Sequence, residues 1–163
     1  MEYMSRVRGM ERKLYRIASA ILFSDADSAD AIQEAVFKGW MRRDGLREEK
    51  YFESWLIRIL INECKNILRR RKRAPLPLNE EARLRGAPED VELSLHLRRC
   101  LAELPEKLRV PLLLHHLEGY GLADIARMLG LAPTLVKSRL YQARRALKKT
   151  LDQGDEAHEN AGF

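Results

Sequence analysis

A chain of 163 residues has room for one or two small domains, and with 45% hydrophobic and 33% charged residues it can bury a core and keep a hydrated surface. A net charge of +6 and a pI near 9.5 favour a polyanionic partner. Cys64 and Cys100 belong to no CxxC or Cys/His cluster, which argues against a disulfide framework and suits a reducing cytosol, and Arg6, Arg8, Glu11, Arg12 and Lys13 interrupt any apolar run that a signal peptide needs.

The first helix is predicted over residues 1–23, where Met10, Leu14, Ile17, Ala18, Ile21 and Leu22 recur at helical spacing. Residues 24–27 break it, with Asp25 or Asp27 as the expected cap of the next helix, residues 27–42. That helix has an apolar stripe of Ile32, Ala35, Val36 and Gly39, with Trp40 at its edge. On its other face Asp30, Glu34, Phe37 and Met41 project together, with Gln33 beside them. Two large apolar groups framed by acids suit either a protein-docking patch or the cover of another helix of the same domain.

Residues 43–50 form a polar connection, and a third helix is predicted over 51–73. Ile57, Leu60, Ile61, Cys64, Ile67 and Leu68 make its core stripe. Opposite lie Arg58, Asn62, Lys65, Asn66, Arg69 and Arg73, with Trp55 and Ile59 near the same face. Asn is a poor residue for a helix interior, so Asn62 and Asn66 in a cationic line point to recognition. An amide offers a donor and an acceptor to a base edge, while Arg holds phosphates. Trp55 is read as a core residue, and the cationic run 69–73 as a solvated helix end.

Residues 74–90 carry Pro75, Pro77, Gly86 and Pro88 and keep no apolar period, so they read as a linker between a first module, 1–73, and a second, 91–151. The second module opens with helices over 91–104 and 106–118, separated at Leu104-Pro105. A short helix then follows through Leu122, Ile125, Ala126 and Leu129, a break at residues 130–133, and a basic last helix capped by Thr134. Val136, Leu140, Ala143 and Leu147 share one face of that helix; Ser138, Tyr141, Gln142 and Arg145 share the other, widened by Lys137, Arg139, Arg144, Lys148 and Lys149. A packed helix followed by one presenting cations and amides is a helix-turn-helix arrangement. From Asp152 the chain reads as a frayed acidic tail, 152–163. The fold class is therefore all-α: two small helical domains joined by a flexible linker, the C-terminal one with a helix-turn-helix.

Three stretches, DSADAIQEAVFKGW (27–40), YFESWLIRILINECKNILRRRKR (51–73) and LPEKLRVPLLLHHLEGYGLADIARMLGLAPTLVKSRLYQARRAL (104–147), resemble the extracytoplasmic-function sigma factors, small two-domain initiation subunits of bacterial RNA polymerase. The resemblance implies a function without catalysis, cofactor or metal: promoter-specific transcription initiation in the cytoplasm, with core RNA polymerase and promoter DNA as partners. It implies that Asp30, Gln33 and Glu34, on the face that also carries Phe37, dock on the clamp helices of the largest polymerase subunit. It implies that the loop Glu49–Phe52, hence Lys50, Tyr51 and Phe52, together with Asn62, Lys65, Asn66 and Arg69, reads the minus-ten element and traps an unstacked base. Lys137, Ser138, Arg139, Tyr141, Gln142 and Arg144, with Arg145 on the same face, are expected to read the minus-thirty-five element. Relatives are usually held by an anti-sigma factor, often membrane-anchored, so such a partner is expected here.

The sequence departs from the family at Gly121, where a Ser or Thr cap is usual, and at the turn Leu131-Ala132-Pro133-Thr134-Leu135. Lys50-Tyr51-Phe52 matches no motif assigned to a known base. The alternative is a helix-turn-helix repressor or activator that binds duplex operator alone; it uses the second module but has no use for the Asp30/Phe37 face or the Asn62/Asn66 line. An RNA-binding helical protein lacks support because no aromatic sheet motif is present. Enzyme chemistry lacks a constellation: His115 and His116 are adjacent, so they do not share a helix face.

Overall fold

The computed structural model describes residues 2–73 and 95–160, in which the secondary structure is helical throughout, with no strand. The first module holds α1 (Tyr3–Gly9), α2 (Glu11–Leu22), α3 (Asp25–Met41) and α4 (Phe52–Arg73), with short 3-10 turns at Arg43–Gly45 and Glu49–Tyr51. The second holds α5 (Leu95–Glu103), α6 (Glu106–His116), α7 (Leu122–Leu129) and α8 (Pro133–Asn160). The predicted linker at 74–90 and the predicted helix start at Val91 lie outside the described residues.

The helix expected over residues 1–23 is two helices. Gly9, a weak helix former, precedes Met10, whose φ of −107° and ψ of −1° interrupt the spiral. The break lets Tyr3, Val7 and Met10 all reach the core. The Tyr3 hydroxyl donates to the Val36 carbonyl at 2.8 Å, and a Cβ at Gly39 would fall 2.3 Å from that hydroxyl. Gly39 is thus the notch that admits Tyr3. The cap of α3 also differs from expectation. Ser24 Oγ accepts from the Asp27 amide at 3.2 Å, while Asp25 and Asp27 sit in the first turn, where negative charge suits the helix dipole.

Along α4, Ile57, Leu60, Ile61, Cys64 and Ile67 are buried, as the apolar period predicts, and Leu56, outside the predicted stripe, is buried with them. Each such aliphatic side chain contributes about 1.5–3 kcal/mol by leaving water. Ile59, expected near the open face, is buried too, because α4 packs against α7 as well as α3.

In the second module, Gly130 takes a left-handed φ of 66°, and the Leu131 amide returns to the Ala126 carbonyl at 2.9 Å. This closes α7 as a Schellman-type end. Helix α8 starts at Pro133 rather than behind a Thr134 cap, since proline fits the first helical position. Gly121 offers α7 no side-chain cap. Helix α8 continues through Asn160 instead of fraying from Asp152.

The two modules share one apolar cluster rather than keeping separate cores. Ile17, Ala20 and Ile21 of α2 face Val110, Leu113 and Leu114 of α6 across a gap of only about 10 Å³, at most the room of a single water.

Candidate polymerase and nucleic-acid interfaces

Three surfaces gather the residues singled out in the sequence. On α3, Asp30, Gln33 and Glu34 are exposed, and Phe37 and Met41 are 59% and 66% exposed. No helix among the described residues covers them. Met4 and Trp40 join Gln33, Glu34, Val36 and Phe37 around a groove of about 610 Å³. The sequence reading missed Met4 and placed Trp40 at the core edge; Trp40 stands three residues after Phe37, which is one helical turn and was the available signal. Its ring rests edge-on against Tyr3, centroids 5.6 Å apart, under the Arg43 guanidinium at 3.8 Å. At the rim, Lys38 Nζ donates to Glu63 at 2.6 Å and lies 3.7 Å from Glu34. The Glu63 hydrogen bond, against a smaller desolvation effect, holds the Lys38 amine above its ordinary pKa.

The second surface runs along α4 and the turn before it. Lys50 and Tyr51 are exposed, and so are Asn62 and Arg69. Asn66 is half-buried, and its carbonyl oxygen accepts from Arg69 Nη1 at 3.2 Å. Two expected members of this face are otherwise placed. Phe52 is only 2% exposed; its ring packs on Tyr3 at 5.7 Å and Trp55 at 5.9 Å, with the Arg6 guanidinium 4.3 Å above it. The family resemblance implied a base-facing place for Phe52, whereas here the core claims its ring. Lys65 is half-buried and faces Glu106 of α6 at 4.0 Å. Trp55 packs partly on the core, as expected.

The same face touches the second module. Arg127 of α7 lies over the Tyr51 ring at 4.7 Å. Tyr120 donates its hydroxyl proton to Glu53 Oε1, which also accepts from Lys13 Nζ. Burial opposes ionisation of Glu53, but the hydrogen bonds from Lys13 and Tyr120 outweigh it and hold the carboxyl below its ordinary range. Burial, then the bond to Glu53, pushes the Tyr120 phenol up.

The third surface is α8. Val136, Leu140 and Ala143 are buried, while Lys137, Ser138, Tyr141, Gln142, Arg144 and Arg145 are exposed and Arg139 is half-exposed. The helix thus seats one stripe on α6 and α7 and turns its polar, cationic side outward. Tyr141 is 59% exposed, with Arg145 over its ring at 5.7 Å. Such a helix can enter a major groove, with cations on phosphates and the amide at base edges.

His115 Nδ1 is 2.8 Å from the Tyr120 carbonyl, and His116 meets the Arg144 Nε at 3.3 Å. Among the described residues no cluster of His, Cys, Asp and Glu could hold a metal ion, and no helix is long and apolar enough to cross a membrane.

Comparison with known proteins places both modules in a family. The first module matches the family model of sigma-70 region 2 over residues 7–74, and the second that of sigma-70 region 4 over residues 94–147. The chain is 34% identical over 145 residues to the ECF RNA polymerase sigma factor SigM of Mycobacterium tuberculosis, covering 88% of this chain and 74% of that one. The chain belongs to the ECF RNA polymerase sigma factors. It is 31% identical over 154 residues to the ECF RNA polymerase sigma-E factor of Escherichia coli K12, covering 83% and 81% of the two. The sigma factor RpoE of Bartonella quintana, solved with the anti-sigma factor NepR, shares the fold with a TM-score of 0.74 at 22% identity, over 92% of this chain and 96% of that one. CnrH, solved with the cytosolic domain of CnrY, does so with a TM-score of 0.71 at 24% identity, over 93% and 88%. This ECF sigma factor therefore acts in transcription initiation as a DNA-binding subunit of RNA polymerase. The plain helix-turn-helix regulator falls away, because it leaves region 2 without a use.

Proposed function

We propose that the three surfaces divide the work of promoter recognition. The groove beside Phe37, framed by Asp30, Gln33 and Glu34, docks core polymerase; its aromatic wall supplies apolar area and its acids supply the sign of charge. Lys50, Tyr51, Asn62, Asn66 and Arg69 engage the minus-ten element. Tyr51 offers a stacking surface and the two amides match the edge of an unstacked base. The outward side of α8 reads the minus-thirty-five element through Tyr141 and Gln142, with Lys137, Ser138, Arg139, Arg144 and Arg145 holding phosphates or neighbouring bases.

The observation that carries this reading is the coexistence, on one chain, of an acid-framed apolar groove and two separate basic faces. A duplex-binding regulator needs only one of these. The protein works without moving covalent bonds: opening a promoter by capture offsets the few kcal/mol that unstacking costs. It works in the cytoplasm, where the polymerase is. By analogy with RpoE and CnrH, solved with NepR and CnrY, an anti-sigma factor is a further partner. Run-off transcription with purified core polymerase and a promoter library tests the reading. Core plus this protein should yield discrete transcripts that neither component gives alone. Binding of duplex operator by the protein alone, without polymerase-dependent transcripts, would overturn it.

A further inference from the structure

Helix α1 runs beside the turn that carries Lys50 and Tyr51, and one of its side chains reaches that turn. Arg6, half-buried, donates Nη2 to the Glu49 carbonyl at 3.0 Å, across 43 positions of sequence. The same guanidinium lies over the Phe52 ring at 4.3 Å. One side chain therefore grips both ends of the segment 49–52. Its edge takes the first carbonyl, and its face takes the ring at the start of α4. A planar guanidinium can do both at once, whereas the point charge of a lysine cannot. Helix α1 is itself fixed, since the Tyr3 ring packs on Phe52 at 5.7 Å and the Tyr3 hydroxyl donates to the Val36 carbonyl. Arg6 stands one helical turn after Tyr3, so both reach the Phe52 ring from one side of α1.

The turn gains from such a grip. Glu49–Tyr51 is a single 3-10 turn, a form with poor hydrogen-bond geometry that occurs only in short pieces. Its N-cap residue, Glu48, supplies no side-chain cap. The Tyr51 amide donates to the Glu48 carbonyl at 3.1 Å, and Ser54 Oγ donates to the Tyr51 carbonyl at 3.1 Å. Lys50 pairs with Glu48 at 2.9 Å, but both side chains are more than half exposed, where an ion pair contributes little. These bonds lie within the segment, so they shape the turn without tying it to another helix. Arg6 and the buried Phe52 ring tie it to α1, one at each end.

We infer that Arg6 is a positioning residue for minus-ten recognition: by holding the Glu49 carbonyl against α1 it sets where Lys50 and Tyr51 stand, and so how well one base is told from another. The inference rests on the reading above that Lys50 and Tyr51 engage the minus-ten element. In this role Arg6 touches no base. Attraction to phosphates is electrostatic and carries no sequence information. Contact with a base edge depends on geometry. A turn that has lost its clamp therefore loses discrimination while general affinity for DNA persists.

The test uses holoenzyme assembled from core polymerase and the full chain, on one promoter and its single-base minus-ten and minus-thirty-five substitutions. Arg6→Lys keeps the charge and loses the plane. It should reduce discrimination at one or two minus-ten positions by about 3- to 10-fold, part of what one good base contact supplies. Minus-thirty-five preference, binding to core polymerase and the salt dependence should stay at wild type. Tyr51→Ala should lose discrimination at the same positions. The double variant should be no worse than Tyr51→Ala alone, because Arg6 acts through the turn. Additive losses, or equal losses at minus-ten and minus-thirty-five positions, would mean a general loss of stability and overturn the inference. Wild-type discrimination by Arg6→Lys beside a defect in Tyr51→Ala would show that charge alone suffices at Arg6, and overturn its role while leaving the reading of the turn intact. Wild-type discrimination by both Lys50→Ala and Tyr51→Ala would overturn the reading of the turn, and the role of Arg6 with it.

Discussion

Near the end of α4, the Arg71 guanidinium turns inward and donates Nε to Asp27 Oδ2 at 3.0 Å, at the start of α3. The same side chain sends Nη1 to the Leu22 carbonyl at 3.0 Å, at the end of α2. One side chain thus ties three helices, with a cation on a helix C-terminus and an acid on a helix N-terminus. Arg71→Met should destabilise the protein by about 1.5–3 kcal/mol, the range for hydrogen bonds to charged groups. In a chain of this size that is roughly 4–10 °C in Tm by calorimetry. Lys72→Met, at an exposed position of the same cationic run, should stay within about 0.5 kcal/mol. Equal effects would mean that Arg71 is no more than surface charge.

Arg71 also marks where sequence reading stopped. Residues whose environment is fixed within a few turns of their own helix were legible: Val136, Leu140 and Ala143 fall inward and Tyr141 and Gln142 outward because helical period alone decides it. Phe37 was legible because nothing in its own helix balanced it. Arg71, Tyr120 and Arg109, the last donating to the Ile21 carbonyl, were not, since their partners lie 44, 67 and 88 residues away. A run of five cations reads as solvated until a distant Asp27 and a free helix end are brought beside one of them. The shared core of the two modules was illegible for the same reason: Ile17, Ile21, Leu113 and Leu114 each fit a private core equally well. Phe52 was placed in the base-reading loop only by the family resemblance, and nothing in its local pattern tells a ring that faces a base from one that packs on Tyr3.

On α3, Phe37→Ala with Glu34→Lys should leave the melting temperature near wild type, because both side chains are exposed. Binding to core polymerase should weaken by about 10-fold or more, as expected when a central aromatic anchor and one charge are lost. Competition against a labelled sigma factor reads this out. Unchanged affinity would remove the groove of Met4, Phe37 and Trp40 from the interface.

On α8, Gln142 and Lys148 separate base reading from charge. Both are exposed. Gln142→Ala should change preference at one or two minus-thirty-five positions, by about 1–3 kcal/mol. Lys148→Ala should weaken every promoter alike and reduce the slope of affinity against salt by about one unit. Identical, uniform losses from the two variants would show that Gln142 touches no base.

Glu53 supplies a pH signature of its contacts with Lys13 and Tyr120. Burial raises its pKa, but Lys13 and Tyr120 lower it more, so the folded value lies below the ordinary value of 4.5. A depressed carboxyl stabilises the fold above its unfolded pKa, and that contribution disappears as pH falls through the folded one. The Tm difference between wild type and Glu53→Gln should therefore be constant from pH 8 to about pH 6 and shrink below about pH 4. A difference that persists unchanged at pH 3 would mean that the carboxylate charge is not what Lys13 and Tyr120 recognise.

The Asn62/Asn66 line separates capture of an unpaired base from simple attraction to DNA. Arg69 lies on the same line and donates to Asn66 at 3.2 Å, so an exposed cation and a half-buried amide stand side by side on one face of α4. Phosphates need only the cation, because backbone charge carries most duplex affinity. A base out of its stack presents an edge, and of these side chains only the amides can donate and accept at it. Asn62→Ala and Asn66→Ala should therefore leave assembly with core polymerase and closed-complex formation near wild type. They should slow open-complex formation, measured as permanganate reactivity of unpaired thymines near the start site. A premelted template then divides melting from recognition: a defect in melting is largely rescued, whereas a defect in holding the base persists on the open strand. Arg69→Ala, by contrast, should weaken closed and open complexes together and do so more at low salt. Should both Asn variants open promoters at the wild-type rate, the line is a solvated helix face, and base capture must belong to Lys50 and Tyr51 in the turn before α4.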